Sequence, residues 1–146
     1  MNNSLIALRG KSNVGKTTTI KKVYELLIKK YTKINIIVEP LKTIDIRIII
    51  EINGIKIGIE SQGDQGHEGS RLETSLKLFT ENNCQIILCA TRTKGATVRL
   101  VNKLNSSYLI DFIKKPIMLE KNKHNESNQK VASEIFDKIE ALLSSV

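Results

Sequence analysis

Apolar positions change their period several times along this chain, and each change marks an element. Leu5, Ile6, Ala7 and Leu8 form a short continuous apolar run, as expected of a strand covered on both faces. Ile20, Val23, Tyr24, Leu27, Ile28 and Tyr31 then recur every three to four residues, while Lys21, Lys22, Lys29 and Lys30 fall off that stripe. The spacing predicts an amphipathic helix over 16–30. Residues 34–38 are again mostly apolar and close on Glu39-Pro40, which predicts a second strand buried on both faces. Ile46, Ile48, Ile50 and Ile52 alternate with other residues, Asn53-Gly54 follows, and Ile55, Ile57 and Ile59 resume the alternation. Asn-Gly between alternating strands predicts a hairpin, because a type I′ turn needs positive φ at both central residues.

Residues 61–70 are the most polar and glycine-rich part of the chain, and Leu72, Leu76 and Phe79 after them mark an amphipathic helix. Ser70 and Glu73 have the spacing of a capping box at its start. Residues 85–90 read as a buried strand, Val98, Val101 and Leu104 as a short helix, and 108–113 as a strand. Residues 121–129 are polar and predict a loop before a closing helix lined by Val131, Ile135, Ile139 and Leu142. Strands alternating with helices predict an α/β fold in three layers, with a mostly parallel sheet and one antiparallel hairpin strand at an edge. No repeat or composition break divides residues 1–146, so a single domain is expected. Ligands in such sheets bind beyond the carboxyl ends of the strands, where residues 10–17, 60–66 and 91–95 would meet.

The first of these segments carries the strongest chemical signal. Gly10, Lys11, Ser12, Asn13, Val14, Gly15, Lys16 and Thr17 spell G-x-x-x-x-G-K-T between a predicted strand and a predicted helix, the setting in which that pattern cradles phosphate. Two glycines let the backbone curl so that successive N–H groups face one anion, and a helix start adds unpaired donors and the positive dipole end. Lys16 would reach the β- and γ-phosphates, the Thr17 hydroxyl would bind Mg²⁺, and Thr18 would complete the phosphate contacts. Such a loop needs a carboxylate at a strand end for the metal and a group that places the nucleophile. Glu60, which closes the run Ile55–Ile59, is the metal-side candidate, with Asp64 and Gln62 as candidates for positioning water or an acceptor hydroxyl. Arg92, with Lys94 and Arg99 in a stretch free of acids, is a further candidate for phosphate contact.

Charge and composition narrow the partners. A net charge of +8 suits an anionic ligand, either a nucleotide or nucleic acid, but aromatics at 4% provide no stacking platform for single strands. Cys84 and Cys89 form no C-x-x-C and read as reduced, buried thiols. Neither a signal-peptide pattern nor an apolar run of bilayer length is present, so no membrane association and a cytoplasmic location are expected. His67 and His124 lack the spacing of a metal site.

The octet resembles the phosphate loop of the P-loop NTPases. Its Asn13-Val14-Gly15-Lys16-Thr17, with the hairpin and Glu60-Ser61-Gln62-Gly63-Asp64, is similar to the translation-factor-related, Ras-like GTPases. That resemblance gives Glu60 the metal-side acid, Gly63 the N–H that meets the γ-phosphate, and Asp64 the place of a water-orienting glutamine. The guanine-reading Asn-Lys-x-Asp is absent, since residues 86–90 lead into Thr91-Arg92-Thr93-Lys94, so ATP rather than GTP is expected. Gly10-Lys11 with Val14-Gly15-Lys16-Thr17-Thr18-Thr19 is similar to the ParA/MinD-type ATPases, in which an early lysine matched by Lys11 reaches a partner's nucleotide. Arg92, Lys94 and Arg99 resemble the basic lid of nucleotide kinases. These resemblances imply a small Mg²⁺-dependent ATPase or NTPase acting as a slow switch, with residues 61–70 as the switch loop and its protein-reading surface. The alternatives are a small nucleotide kinase and a nucleotide-dependent binding module without turnover.

Overall fold

A computed structural model describes residues 2–11, 14–39, 45–62, 71–118 and 120–145. Its strands are β1 (Ser4–Arg9), β2 (Ile34–Val38), β3 (Arg47–Ile52), β4 (Ile55–Glu60), β5 (Ile86–Thr91) and β6 (Leu109–Lys114). The helices are α1 (Lys16–Lys30), α2 (Arg71–Glu81), α3 (Ala96–Asn102) and α4 (His124–Ser144), the last preceded by a 3-10 turn at Lys121–Lys123. The protein is therefore α/β, with a six-stranded sheet in the order β2-β3-β4-β5-β1-β6. β1 is parallel to β5 on one side and to β6 on the other, and β4 is parallel to β5. β3 alone runs against its neighbours, β2 and β4.

The hairpin forms as its pattern predicts. Asn53 and Gly54 have φ of 53° and 80°, and the register runs from Ile52↔Ile55 to Arg47↔Glu60. Two placements differ from expectation. The antiparallel strand is not at an edge, because β2 adds outside it. β2 is also far from buried: Asn35, Ile36 and Ile37 are exposed. The apolar run that suggested a covered strand belongs to a sheet edge.

Helices cover both faces. On one side α1 and α4 bury Ile20, Val23, Leu27, Val131, Ile135 and Ile139 against the alternate isoleucines of β3 and β4 and against Ile6, Leu8, Ile86 and Leu88. On the other, Leu72, Leu76 and Phe79 of α2 and Val101 of α3 pack on Leu5, Ala7, Ile49, Ile87 and Cys89. Each fully buried side chain of this size contributes roughly 2 kcal/mol of transfer free energy. The ring of Phe79 lies over Gly58, where an added Cβ would stand 2.5 Å from it, so β4 needs glycine for α2 to approach. Cys84 and Cys89 are free and buried, and burial pushes both thiols up, Cys84 to about 12. None of the described helices is long and apolar enough to cross a membrane.

Candidate functional site

β1 lies inside the sheet between β5 and β6, and the glycine–lysine octet leads from its end into α1. At Gly10 the chain packs so closely that an added Cβ would lie 3.1 Å from Val14 Cγ2 and 3.2 Å from Lys115 Cβ. Gly10 N–H donates to the Thr91 carbonyl at 3.1 Å, holding the loop to the end of β5. Gly15 turns the chain into α1 with φ 91° and ψ 23°, a left-handed conformation that costs an L-residue roughly 1 kcal/mol or more. An added Cβ there would also come within 2.5 Å of Asn128 Oδ1. As the residue before the helix, Gly15 contributes no side-chain cap, and no acid stands in the first turn. The N–H groups and positive dipole end of α1 are thus left without either customary compensation from its own first turn.

Lys16 is 3% exposed, and its ammonium donates to Gly10 O at 2.7 Å and Thr91 O at 2.9 Å. It bridges the carboxyl ends of β1 and β5 by two charge-assisted hydrogen bonds. The Thr17 hydroxyl turns the other way and donates to Asp45 Oδ1 at 3.3 Å. Thr18 and Lys11 are exposed, and the Thr19 hydroxyl donates to Gly15 O at 2.7 Å, 3.2 Å from Asn128 Oδ1.

Asp45 is the residue that sequence reasoning missed. It precedes β3, accepts from the Ser61 hydroxyl at 3.4 Å as well as from Thr17, and pairs with Arg71 at 3.5 Å. The hairpin register contains the missing signal. Counting back from Asn53-Gly54 pairs Arg47 with Glu60, so Asp45 comes to the same end of the hairpin as Glu60 and Ser61. Ser61 closes this end, donating its N–H to Ile46 O at 2.9 Å and accepting from Ile46 N–H at 2.8 Å.

Glu60 would sit beside the octet if its strand, β4, neighboured β1. β5 lies between them, and it is Glu60's neighbour Ser61 that reaches toward the octet, its hydroxyl and that of Thr17 both donating to Asp45. Glu60 is fully buried, because both faces of the sheet are covered. Oε2 accepts from the Ser75 hydroxyl of α2 at 2.5 Å, while Oε1 is buried with no hydrogen-bond partner among the described residues. Desolvation pushes the carboxyl up to about 8. The Ser75 hydroxyl, the nearby Gln62 N–H and Arg47 oppose this rise, and Asp45 reinforces it. At neutral pH the side chain is mostly protonated.

On the far side of the octet, Lys115 is 2% exposed and donates to the Ser127 hydroxyl of α4 at 3.0 Å. Burial lowers its pKa. Ser127 and Asn128 open the closing helix within the stretch expected to be a loop; both are buried against this region rather than solvated. Arg92 is exposed, one residue beyond the Thr91 carbonyl that holds Lys16, and its N–H donates to Thr97 Oγ1 at 2.9 Å. Lys94 and Arg99 are exposed too. Gln62 is half-buried beside Glu60. Ser12, Asn13, Gly63, Asp64, His67 and Ser70 lie outside the described residues, and with them most of the expected switch loop. Among the described residues no three His, Cys, Asp or Glu side chains group to hold a metal ion. The oxygen donors that do converge are the Thr17 hydroxyl and the Asp45 carboxylate, the all-oxygen type that a hard divalent cation takes. Compared with known proteins, the chain matches no family model, no curated protein and no solved structure.

Proposed function

We propose that the octet binds the phosphates of a nucleoside triphosphate with Mg²⁺, and that the protein is a small, slow ATPase or NTPase of three-layer P-loop architecture acting as a switch. The observation that carries this reading is the start of α1: a left-handed Gly15, an uncapped first turn, a buried Lys16 ammonium and a Thr17 hydroxyl facing a carboxylate. Backbone donors and a lysine converging where no acid of the first turn competes suit an anion of high charge.

In this reading the N–H groups at the start of α1 cradle the phosphates. Lys16 exchanges its carbonyl contacts for phosphate oxygens and offsets the charge that develops there. Thr17 and Asp45 hold the metal, with Glu60 behind them. Mg²⁺, when bound, supplies charge neutralisation on the phosphate oxygens. The buried Oε1 of Glu60 provides a proton-accepting atom once the carboxyl ionises, and Gln62 and Asp64 orient the water or acceptor hydroxyl. No Asn-Lys-x-Asp follows β5, so that motif's carboxylate does not select guanine, and ATP is accepted at least as well as GTP.

Titration of the full chain with ATP, with and without Mg²⁺, followed by a turnover assay, tests the proposal. Saturable binding strengthened by Mg²⁺ and steady release of phosphate without an acceptor are expected. Turnover only with a nucleotide acceptor would replace hydrolysis by phosphoryl transfer, and tight binding without turnover would leave a binding module. Absence of binding would refute the nucleotide site.

A further inference from the structure

The two edges of the sheet are finished differently. On β6 a charged pair guards the edge: Asp111 accepts from Lys138 of α4 at 2.7 Å. No described strand pairs with the outer side of β2, and its three central residues, Asn35, Ile36 and Ile37, are exposed. Among the described residues the large hydrophobic side chains most exposed to solvent are Ile28, Ile36, Ile37, Leu109 and Ile117; two lie on β2, one on α1, the helix that leads into it, and one, Leu109, begins β6, whose edge has the charged pair that β2 lacks. An edge with free backbone groups and isoleucines 47% and 39% exposed is a template for another strand. The register irregularity between Ile36 and Val38 twists this edge but does not cover its side chains.

Charge then selects the occupant. Lys33 precedes β2 and Glu39 follows it; both are exposed, and neither has an ion-pair partner among the described residues. A strand with a cation at one end and an anion at the other is complementary to itself when reversed. We propose that β2 is the interface of a two-fold dimer: the β2 strands of two copies pair antiparallel about Ile36 and place the Lys33 end of each beside the Glu39 end of the other. The two sheets then run on as one. Backbone hydrogen bonds provide the attraction, the isoleucines the apolar contact, and the end charges the direction. A short strand pair lies at the small end of specific interfaces, and the net charge of +8 on each copy opposes association, so the dimer is reversible.

Sedimentation velocity of the full chain over a concentration series reads the equilibrium directly. A monomer–dimer transition at concentrations on the order of 10 µM is expected. Lys33→Glu and Glu39→Lys should each raise the dissociation constant about tenfold by setting like charges at both ends of the pair. The double variant K33E/E39K should return it to within about threefold of the original. The two single reversals move the net charge in opposite directions, so a general charge effect would strengthen one dimer and weaken the other. Only end-to-end pairing weakens both and restores both together. Ile36→Lys should leave a monomer with unchanged thermal stability, because the side chain is exposed. A monomer at every concentration up to about 1 mM, single variants that shift oppositely, or open polymers that consume the β6 edge would each overturn the proposal.

Discussion

Replacing Glu60 with Gln should stabilise the protein, although it removes a carboxylate from the candidate site. The folded carboxyl titrates near 8, against an ordinary value of 4.5, chiefly because burial penalises its charge. Between these values the unfolded chain holds fewer protons than the folded one, so stability falls as pH rises. The slope for this group is about 1.4 kcal/mol per pH unit, which accumulates to about 3 kcal/mol at pH 7 and levels off above pH 8. Glutamine keeps the shape and can still accept from Ser75, but it cannot ionise. Its amide nitrogen would take the place of the partnerless Oε1 and cost about 1 kcal/mol as a buried, unmatched donor. The net expectation is a gain of about 2 kcal/mol at pH 7 that is absent near pH 5 and larger at pH 8.5. Urea unfolding of both proteins at pH 5.5, 7 and 8.5, in chelator and without nucleotide, measures it. Parallel stability curves across that range would refute the reasoning, since they would mean that the carboxyl is ionised and solvated in the folded protein.

Lys16→Met should abolish detectable triphosphate binding and also lower stability by about 1–2 kcal/mol, because the Gly10 and Thr91 carbonyls lose their shared donor; isothermal titration and thermal unfolding read the two effects. Gly15→Ala should cost about 2–3 kcal/mol, part from the left-handed backbone and part from collision with Asn128. Asn128→Ala should relieve only the second part, and a double-mutant unfolding cycle separates them. Competition of ATP against GTP should show no strong preference for GTP; a preference of about a hundredfold would require a guanine-reading contact among residues not assigned to the site.

Local chemistry was legible and tertiary choice was not. The isoleucine alternation and Asn53-Gly54 specify the hairpin because period and turn type agree. The stripe from Ile20 to Leu27 specifies α1 for the same reason. Strand order had no such signal: β1, β4 and β5 are buried on both faces, and runs of Ile, Leu and Ala do not say which strand is inserted between two others. Whether the strand of Glu60 borders β1 could therefore not be read from the sequence, and β5 stands between them. The start of α4 was hidden differently. His124, Asn125 and Glu126 are exposed, and Ser127 and Asn128 are buried as polar residues against the octet side of the fold, so no apolar period begins until Val131. Asp45 gave no signal, because one acid between strands carries no pattern until the hairpin is counted back from its turn.

The Lys16 bridge has a consequence for how affinity at this loop is composed. The ammonium already donates to two carbonyl oxygens, so an arriving anion would gain the difference between its own oxygens and the contacts it displaces. If the proposed function holds, a polyphosphate, with several charged oxygens, would offer more in exchange than a neutral or singly charged ligand. On that reading, discrimination by charge would come from a cation already engaged, with the carbonyls it leaves setting the threshold for its displacement.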